Sequence, residues 1–334
     1  MSPGTRVRGT AVYLPEDRSA TSAVERDIMV ANPRLDIPEG LVERLTGVRY
    51  CHVAPAGWVA SDLAAEAAMK LLAETGCDVD DIELIMFAAA SADVLEPATA
   101  HIVAQRLGAS CPVFDVKNAC LSMLNAIEVG DALIGSGRYA RILLTCGEIP
   151  SRLRRRDFDS LEDYVENAPA ITMSDIGAAM LLEAGPVNQV LGHRFAAHSS
   201  AWDAAVTPMV DEDDGSLRVL SFRVRPMQLM RAMQTMKFTV IEQFLADHGL
   251  TMDDFALVCV SQTSVPHLRQ VGDDLSIPPE KLIVTVDEYG SANAAGIPLQ
   301  LVRAAETGQI RPGDLVALIG IGSGISTGIV VLRW

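Results

Sequence analysis

The sequence predicts an α/β protein built as two similar halves in tandem. Three observations carry this. Short apolar runs alternate with amphipathic stretches of helical period, the second half repeats the plan of the first, and 334 residues with 49% hydrophobic content can bury a large core. Alternation of strand and helix implies parallel βαβ units with helices on both faces of a sheet. Two such units in tandem suggest an internal duplication, with halves at 1–185 and 186–334 and a site between them.

In chain order, residues 6–13 alternate as a strand, which Pro15, Glu16 and Asp17 end. Residues 41–53 read as a short helix, a turn and a strand; 61–74 (SDLAAEAAMKLLAE) form a strong amphipathic helix with Ser61 as its N-cap. The run 82–90 (IELIMFAAA) is continuously apolar, as a strand covered on both faces must be. A helix starts near Glu96 and ends at Leu107, followed by a strand at 112–116, a helix after Cys120 and a strand at 140–146. Residues 150–174 are polar and leave the core, and 176–182 (IGAAMLL) return to the sheet. Strands with an acidic turn at 211–215 fill 190–225. Then come a long helix at 230–248, a buried strand at 255–260, a helix at 265–275 and a strand at 282–286 (LIVTV). A helix through Ala305, a strand at 314–319, a turn with Gly320, Gly322 and Gly324, and a closing strand at 328–334 complete the chain.

A net charge of −16 argues against nucleic acid as a partner, because that association depends on neutralising phosphates. No apolar run approaches the roughly 20 residues of a membrane span, and the first residues (MSPGTRVRGTAVYLPEDR) lack the apolar core of a signal peptide, so a cytoplasmic location is expected. The six cysteines are scattered without CxxC pairs, against both a zinc site and a secreted disulfide framework. One basic knot, Arg152, Arg154, Arg155 and Arg156, stands out in this acidic chain. It could receive a phosphate or an acidic carrier protein, or simply face water as a solvated loop.

Cys120 falls where a helix carrying Leu121, Met123, Leu124, Ile127 and Leu133 would start. The free N–H groups and positive dipole end of a helix favour thiolate over thiol, so a lowered pKa and a nucleophilic sulfur are expected there. The alternative is a buried structural cysteine.

Four stretches, KNACLSM around Cys120, SDIGAAMLLE at 174–183, DEYGSANAAGIPLQL at 287–301 and IGIGSGISTGIVVLRW at the C-terminus, occur in the order and spacing of a known family. Across nearly its whole length the chain resembles the thiolase superfamily, in its ketoacyl-acyl-carrier-protein synthase III branch. The resemblance implies a five-layered αβαβα sandwich made of two duplicated halves, usually paired into a homodimer. It implies that Cys120 accepts an acyl group from acyl-CoA or an acyl-carrier protein, while the backbone N–H groups of Cys120 and Ser323 hold the oxyanion. The phrase LEPATAH places Glu96 where the head-to-head condensing thiolases of olefin biosynthesis have a glutamate that reaches into the partner subunit's site. There it would remove the α-proton of a second acyl chain, without decarboxylation. A structural alternative is an acid favouring the positive end of the following helix.

The chain also departs from the family. Counting without a gap puts Ser261 at the usual histidine and Ser291 at the usual asparagine. A serine hydroxyl donates a hydrogen bond but is no base near neutral pH, which puts malonyl decarboxylation in doubt. An alignment slip would bring in His267 or Asn293 instead, and the gapless spacing argues against it. His101 would lie near the dimer interface; His52, His193, His198 and His248 read as structural. The tryptophan and arginine that grip coenzyme A in bacterial housekeeping enzymes correspond to Leu41 and Leu45, whereas Arg152 matches an arginine near the tunnel mouth. Arg152, Arg154 and Arg155 are therefore candidates for binding a phosphopantetheine arm or carrier protein.

The resulting expectation is an acyltransferase of fatty acid, polyketide or related metabolism, with Cys120, Glu96, Ser261 and Ser291 in the catalytic site and no metal or resident cofactor. Its acceptor would be a carbon in a Claisen-type step, or a heteroatom. The alternatives are a catalytically reduced partner subunit, paired in a heterodimer with a complete synthase, and a thioester hydrolase.

Overall fold

The computed structural model describes residues 4–187, 189–236 and 238–334. Its first sheet contains β1 (Gly4–Tyr13), β2 (Leu84–Ala88), β3 (Val113–Val116), β4 (Arg141–Glu148) and β5 (Ile176–Gly185). Their spatial order is β1-β5-β4-β2-β3, with β2 parallel to both β3 and β4, and β5 antiparallel to β1 and β4. The second sheet contains β6 (Val190–Ala197), β7 (Leu257–Val260), β8 (Leu315–Gly322) and β9 (Ser326–Arg333) in the order β6-β9-β8-β7. Its directions repeat those of the first: β6 and β9 antiparallel, β9 and β8 antiparallel, β8 and β7 parallel.

Helices α1 (Ala60–Thr75) and α2 (Thr99–Leu107) cover the outer face of the first sheet. Helices α3 (Ser122–Gly135), α4 (Thr239–His248), α5 (Val265–Asp274) and α6 (Gly296–Glu306) complete the layers. α3 and α6 lie between the sheets, and α4 and α5 pack on the outer face of the second, giving an αβαβα sandwich. The central layer explains the apolar runs: β2 is buried along its whole length because helices cover both faces. Close approach of α1 depends on two glycines. A Cβ on Gly147 would lie 1.8 Å from the Ala60 carbonyl oxygen, and one on Gly177 would lie 2.0 Å from that of Leu63.

Four local expectations are corrected. Residue 237 of the expected long helix lies outside the described residues, and on either side of it Pro226–Met236 and α4 are separate helices. The run LIVTV forms no strand; Leu282 makes one isolated bridge to Val258. The chain then turns, because the Gln262 carboxamide oxygen accepts the backbone N–H groups of Thr285 (3.0 Å) and Val286 (3.0 Å). Ser61 does not cap α1: it is a helical residue whose hydroxyl accepts from Arg106 Nε at 3.1 Å, and the Asp62 carboxylate receives the Val59 N–H at 2.8 Å. At the start of α2 it is the Asp115 carboxylate from β3, not Glu96, that takes the Thr99 and Ala100 N–H groups, at 2.8 Å each.

Candidate active site

After β3 the chain turns through Lys117, Asn118 and Ala119, and Ala119 takes φ 47°, a left-handed conformation unusual for a residue with a Cβ. The turn is tied on both sides. Ser122 Oγ receives the Asn118 N–H at 2.9 Å and donates to the Ala119 carbonyl at 2.7 Å, while the Asn118 carboxamide donates to Asn125 Oδ1 at 2.8 Å. Cys120 occupies a single 3₁₀ turn, Ala119–Leu121, and α3 begins only at Ser122.

Two further segments converge on this turn from the second half. Gly320 and Gly322 of β8 pack against it so closely that a Cβ on either would meet Leu121 within 2.9 Å. The β8–β9 turn, which contains Ser323, is tied to the Cys120 turn by Ser326 Oγ, which donates to Asn118 Oδ1 at 3.5 Å. From the other side comes the 3₁₀ turn Asn293–Ala295, immediately before α6. Asn293, also left-handed at φ 46°, places its carboxamide oxygen 3.9 Å from Cys120 Sγ, as acceptor of the thiol. Its Nδ2 donates to Glu148 Oε2 at 3.3 Å.

Glu148, the last residue of β4, is fully buried. Its carboxylate accepts the Ala90 N–H (2.8 Å), the Ser91 N–H (3.1 Å), the Ser91 hydroxyl (2.9 Å) and the Ala294 N–H (3.4 Å). Desolvation raises its pKa even so, and these hydrogen bonds hold the rise in check.

The electrostatics of Cys120 reverse the expectation from its position near a helix start. Burial first, and then the negative charge of Glu148, push the thiol up to about 12. The physical reason is that the sulfur precedes the first turn of α3 and is largely desolvated, although the residue keeps some surface, and removing water from a thiolate costs more than a helix end returns. Cys146, fully buried on the same strand as Glu148, is likewise raised by burial and by Glu148.

The remaining candidates are placed as follows. Ser261, just after β7, is buried, and its hydroxyl accepts the Ile321 N–H at 3.1 Å beside the glycines that cradle Cys120. Ser291 is buried and engaged through its backbone: its N–H goes to the Thr172 carbonyl (2.8 Å) and its carbonyl receives the Ser174 N–H (2.9 Å). The residue whose carboxamide reaches Cys120 is Asn293, two positions further on, which a gapless count passes over. His267 lies on α5, where its ring contacts Thr263 Oγ1 at 3.3 Å and burial lowers its pKa. Glu96 and His101 are exposed on the surface around the start of α2. His52 bonds the Pro15 carbonyl, and His248 that of Phe244.

Arg152, Arg154 and Arg155 border a cavity of about 440 Å³, together with Arg218, Arg223 and Asp163. Arg154 is held by the carbonyls of Ala170 and Met173, and Arg155 pairs with Asp163 at 2.9 Å, whereas Arg152 stands exposed at the rim. Among the described residues no group of three or more His, Cys, Asp or Glu is placed to hold a metal, and no helix is long and apolar enough to cross a membrane.

Two halves of matching sheet topology that together form one αβαβα sandwich, with a cysteine and an asparagine meeting between them, are the architecture of a thiolase-fold acyl-transferring enzyme. The chain belongs to the 3-oxoacyl-acyl-carrier-protein synthase III family: residues 114–199 match the family model "3-Oxoacyl-[acyl-carrier-protein (ACP)] synthase III", and residues 245–334 match its C-terminal counterpart. It is 31% identical to the beta-ketoacyl-acyl-carrier-protein synthase III of Rhizorhabdus wittichii, over 98% of both chains, and 27% identical to that of Methylococcus capsulatus, over 100% of both. Among solved structures it is similar to a point variant of OleA from Xanthomonas campestris, with a TM-score of 0.90 at 21% identity over 100% of this chain and 99% of that one. Another OleA variant, crystallised with bound lauric acid and lauroyl-CoA, superimposes with a TM-score of 0.88 at 22% identity over 100% of both chains. The fold is therefore that of the thiolase superfamily, and the chain is a transferase of the ketoacyl synthase III type.

Proposed function

We propose that Cys120 takes an acyl group from acyl-CoA or an acyl-carrier protein and passes it to a carbon acceptor, in a non-decarboxylative Claisen-type step, or to a heteroatom. The observation that carries this reading is the strained turn at Ala119, which presents Cys120 to the Asn293 carboxamide and the β8–β9 turn between the two halves. Acyl loading is a thiol–thioester exchange. The Cys120 sulfur bonds to the thioester carbon, the tetrahedral oxyanion rests on the N–H groups of Cys120 and Ser323, and the carbon–sulfur bond to the donor breaks. The leaving thiolate takes the proton that Cys120 gives up, so the step balances without a further base.

The second step needs a proton acceptor that Ser261 and Ser291 do not provide. Glu96, exposed beside Leu95 and Val94 on the surface, is available to the site of a partner subunit in a homodimer. Arg152, with Arg154 and Arg155 behind it, would receive the phosphate of the donor's arm at the arginine-lined cavity. Function within fatty acid or polyketide biosynthesis in the cytoplasm follows as part of this proposal.

A second reading is favoured by the upward shift of the Cys120 thiol: a catalytically reduced subunit that pairs with a complete synthase. Intact-protein mass spectrometry after incubation with a panel of acyl-CoAs and acyl-carrier proteins separates the two. An adduct of acyl mass on the wild type, absent from Cys120→Ala, establishes acyl loading. Absence of any adduct, with the thioesters unconsumed and the protein folded, would sink it and favour the partner subunit; consumption of thioester without an adduct would indicate a hydrolase.

A further inference from the structure

Glu148 is the least expected part of this site. A fully buried carboxylate costs several kcal/mol to desolvate, and apolar replacements of buried charges are often more stable. Yet it lies beneath the nucleophile, where it joins three segments distant in sequence: the end of β2 through Ala90 and Ser91, the end of β4, and the Asn293–Ala295 turn of the second half. Ser91 completes the nest by also receiving the Ile149 N–H on its hydroxyl at 3.1 Å.

We propose that Glu148 is a positioning residue of the acyl-transfer site, locking the Asn293 carboxamide with its carbonyl oxygen toward Cys120. The chemistry of the groups requires this orientation. In its ionised form the Glu148 carboxylate only accepts hydrogen bonds, so the end of the carboxamide facing it is the NH₂, and the oxygen is left for the thiol. The neighbouring Ala294 N–H, also bound to Glu148, fixes the left-handed backbone that aims the side chain. The thiol proton is thereby directed to Asn293, which leaves the sulfur lone pairs turned away from it.

The same carboxylate acts on the sulfur through space. The titratable groups facing it are Cys120 from the nucleophile turn and Cys146 from its own strand, and both thiols are raised by its charge. Glu148 thus keeps Cys120 as an ordered neutral thiol, unreactive toward small electrophiles and aligned for a bound thioester.

This inference rests on the proposed acyl loading for one of its two readouts only. The first is the rate of Cys120 alkylation by iodoacetamide against pH, followed by intact mass, with Cys120→Ala to identify the other cysteines. Glu148→Gln is expected to move the inflection down by about one pH unit and to speed alkylation at pH 8 about tenfold. A profile that superimposes on the wild type overturns the proposal, whatever the natural substrate. The second readout is the rate of acyl-adduct formation against donor concentration. Glu148→Gln and Asn293→Ala are each expected to lower the maximal rate about tenfold or more and to leave the half-saturating concentration unchanged. A wild-type maximal rate in either variant overturns the positioning role. Should Glu148→Gln fail to fold, Asn293→Ala, which leaves the Glu148 charge and the Ala90 and Ser91 nest in place, carries the test through acyl-adduct formation alone: a maximal rate lowered about tenfold supports the positioning role, and a wild-type rate overturns it. Increased alkylation with decreased acylation in one protein is a signature that simple loss of structure would not produce.

Discussion

Cys120 and Glu183 show how the same forces, at the scale of single residues, drive pKa values in opposite directions. Cys120 is enclosed, has a carboxylate for its charged neighbour, and is pushed up to about 12. Glu183 on β5 is buried as well, but the guanidinium groups of Arg6, Arg8 and Arg141 surround it and hold its carboxyl down at about 2 against the cost of burial. A depressed carboxylate adds stability above its unfolded pKa of about 4.3, and that stability is lost as pH falls toward the folded value. Glu183→Gln is therefore expected to lower urea stability at pH 7 by about 2 kcal/mol, allowing for the partial exposure of the arginines. The gap between variant and wild type should close between pH 4 and pH 2. A gap that persists at pH 2 would show that the loss comes from packing and not from charge.

Between elements, spacing is set where backbone meets backbone. α1 lies so close to β4 and β5 that Gly147→Ala has no flexible side chain to displace, only the Ala60 carbonyl. Its expected cost is above about 3 kcal/mol in thermal or chemical unfolding, and because residue 148 follows directly, the turn at Ser91 should lose protection from hydrogen exchange. The two halves are pinned elsewhere by charge. His193 on β6 lies 3.4 Å from Asp131 and 3.6 Å from Glu128 of α3, and its pKa is raised chiefly by the hydrogen bond to Asp131. A raised histidine pKa adds stability that is complete below about pH 6.5 and lost as pH rises through the higher folded value. Melting temperatures of His193→Gln should thus fall below wild type at pH 5.5 and converge with it by pH 9. Equal deficits at both pH values would contradict the charged pin.

For the whole molecule, the edge of the first sheet poses the question of association. β3 is an edge strand with Phe114 exposed, and Val94, Leu95 and Glu96 are exposed beside the start of α2. Apolar groups along an open strand edge invite pairing with a second copy, which is the arrangement in which Glu96 would serve a partner's Cys120. Complementation tests it. Glu96→Gln and Cys120→Ala, each inactive alone, should recover about a quarter of wild-type turnover after mixing and exchange, since about half the dimers are mixed and each holds one complete site. No recovery, although sedimentation shows exchanged dimers, would place Glu96 outside the reaction.

The class of fold and the turn that carries Cys120 were legible in the sequence because both rest on local regularities. Continuous apolar runs such as LIMFA at β2 encode two-sided burial, and KNACLSM marks the turn at Cys120. The boundaries that failed were those where a distant side chain overrode local preference: Gln262 ending the extended LIVTV run, and Asp115 supplying the cap of α2. Around Cys120, too, a distant turn decides the contacts. A gapless count singles out Ser291, but the left-handed turn at Asn293 decides which carboxamide reaches the sulfur. Glu148 carried no signal beyond ending an apolar strand, and a carboxylate acquires its meaning only from the donors that folding gathers around it. The sequence by itself determined the layers and the thiol. The tertiary structure decided that thiol's electrostatic state, because burial and neighbouring charge outweigh a helix end once water is removed.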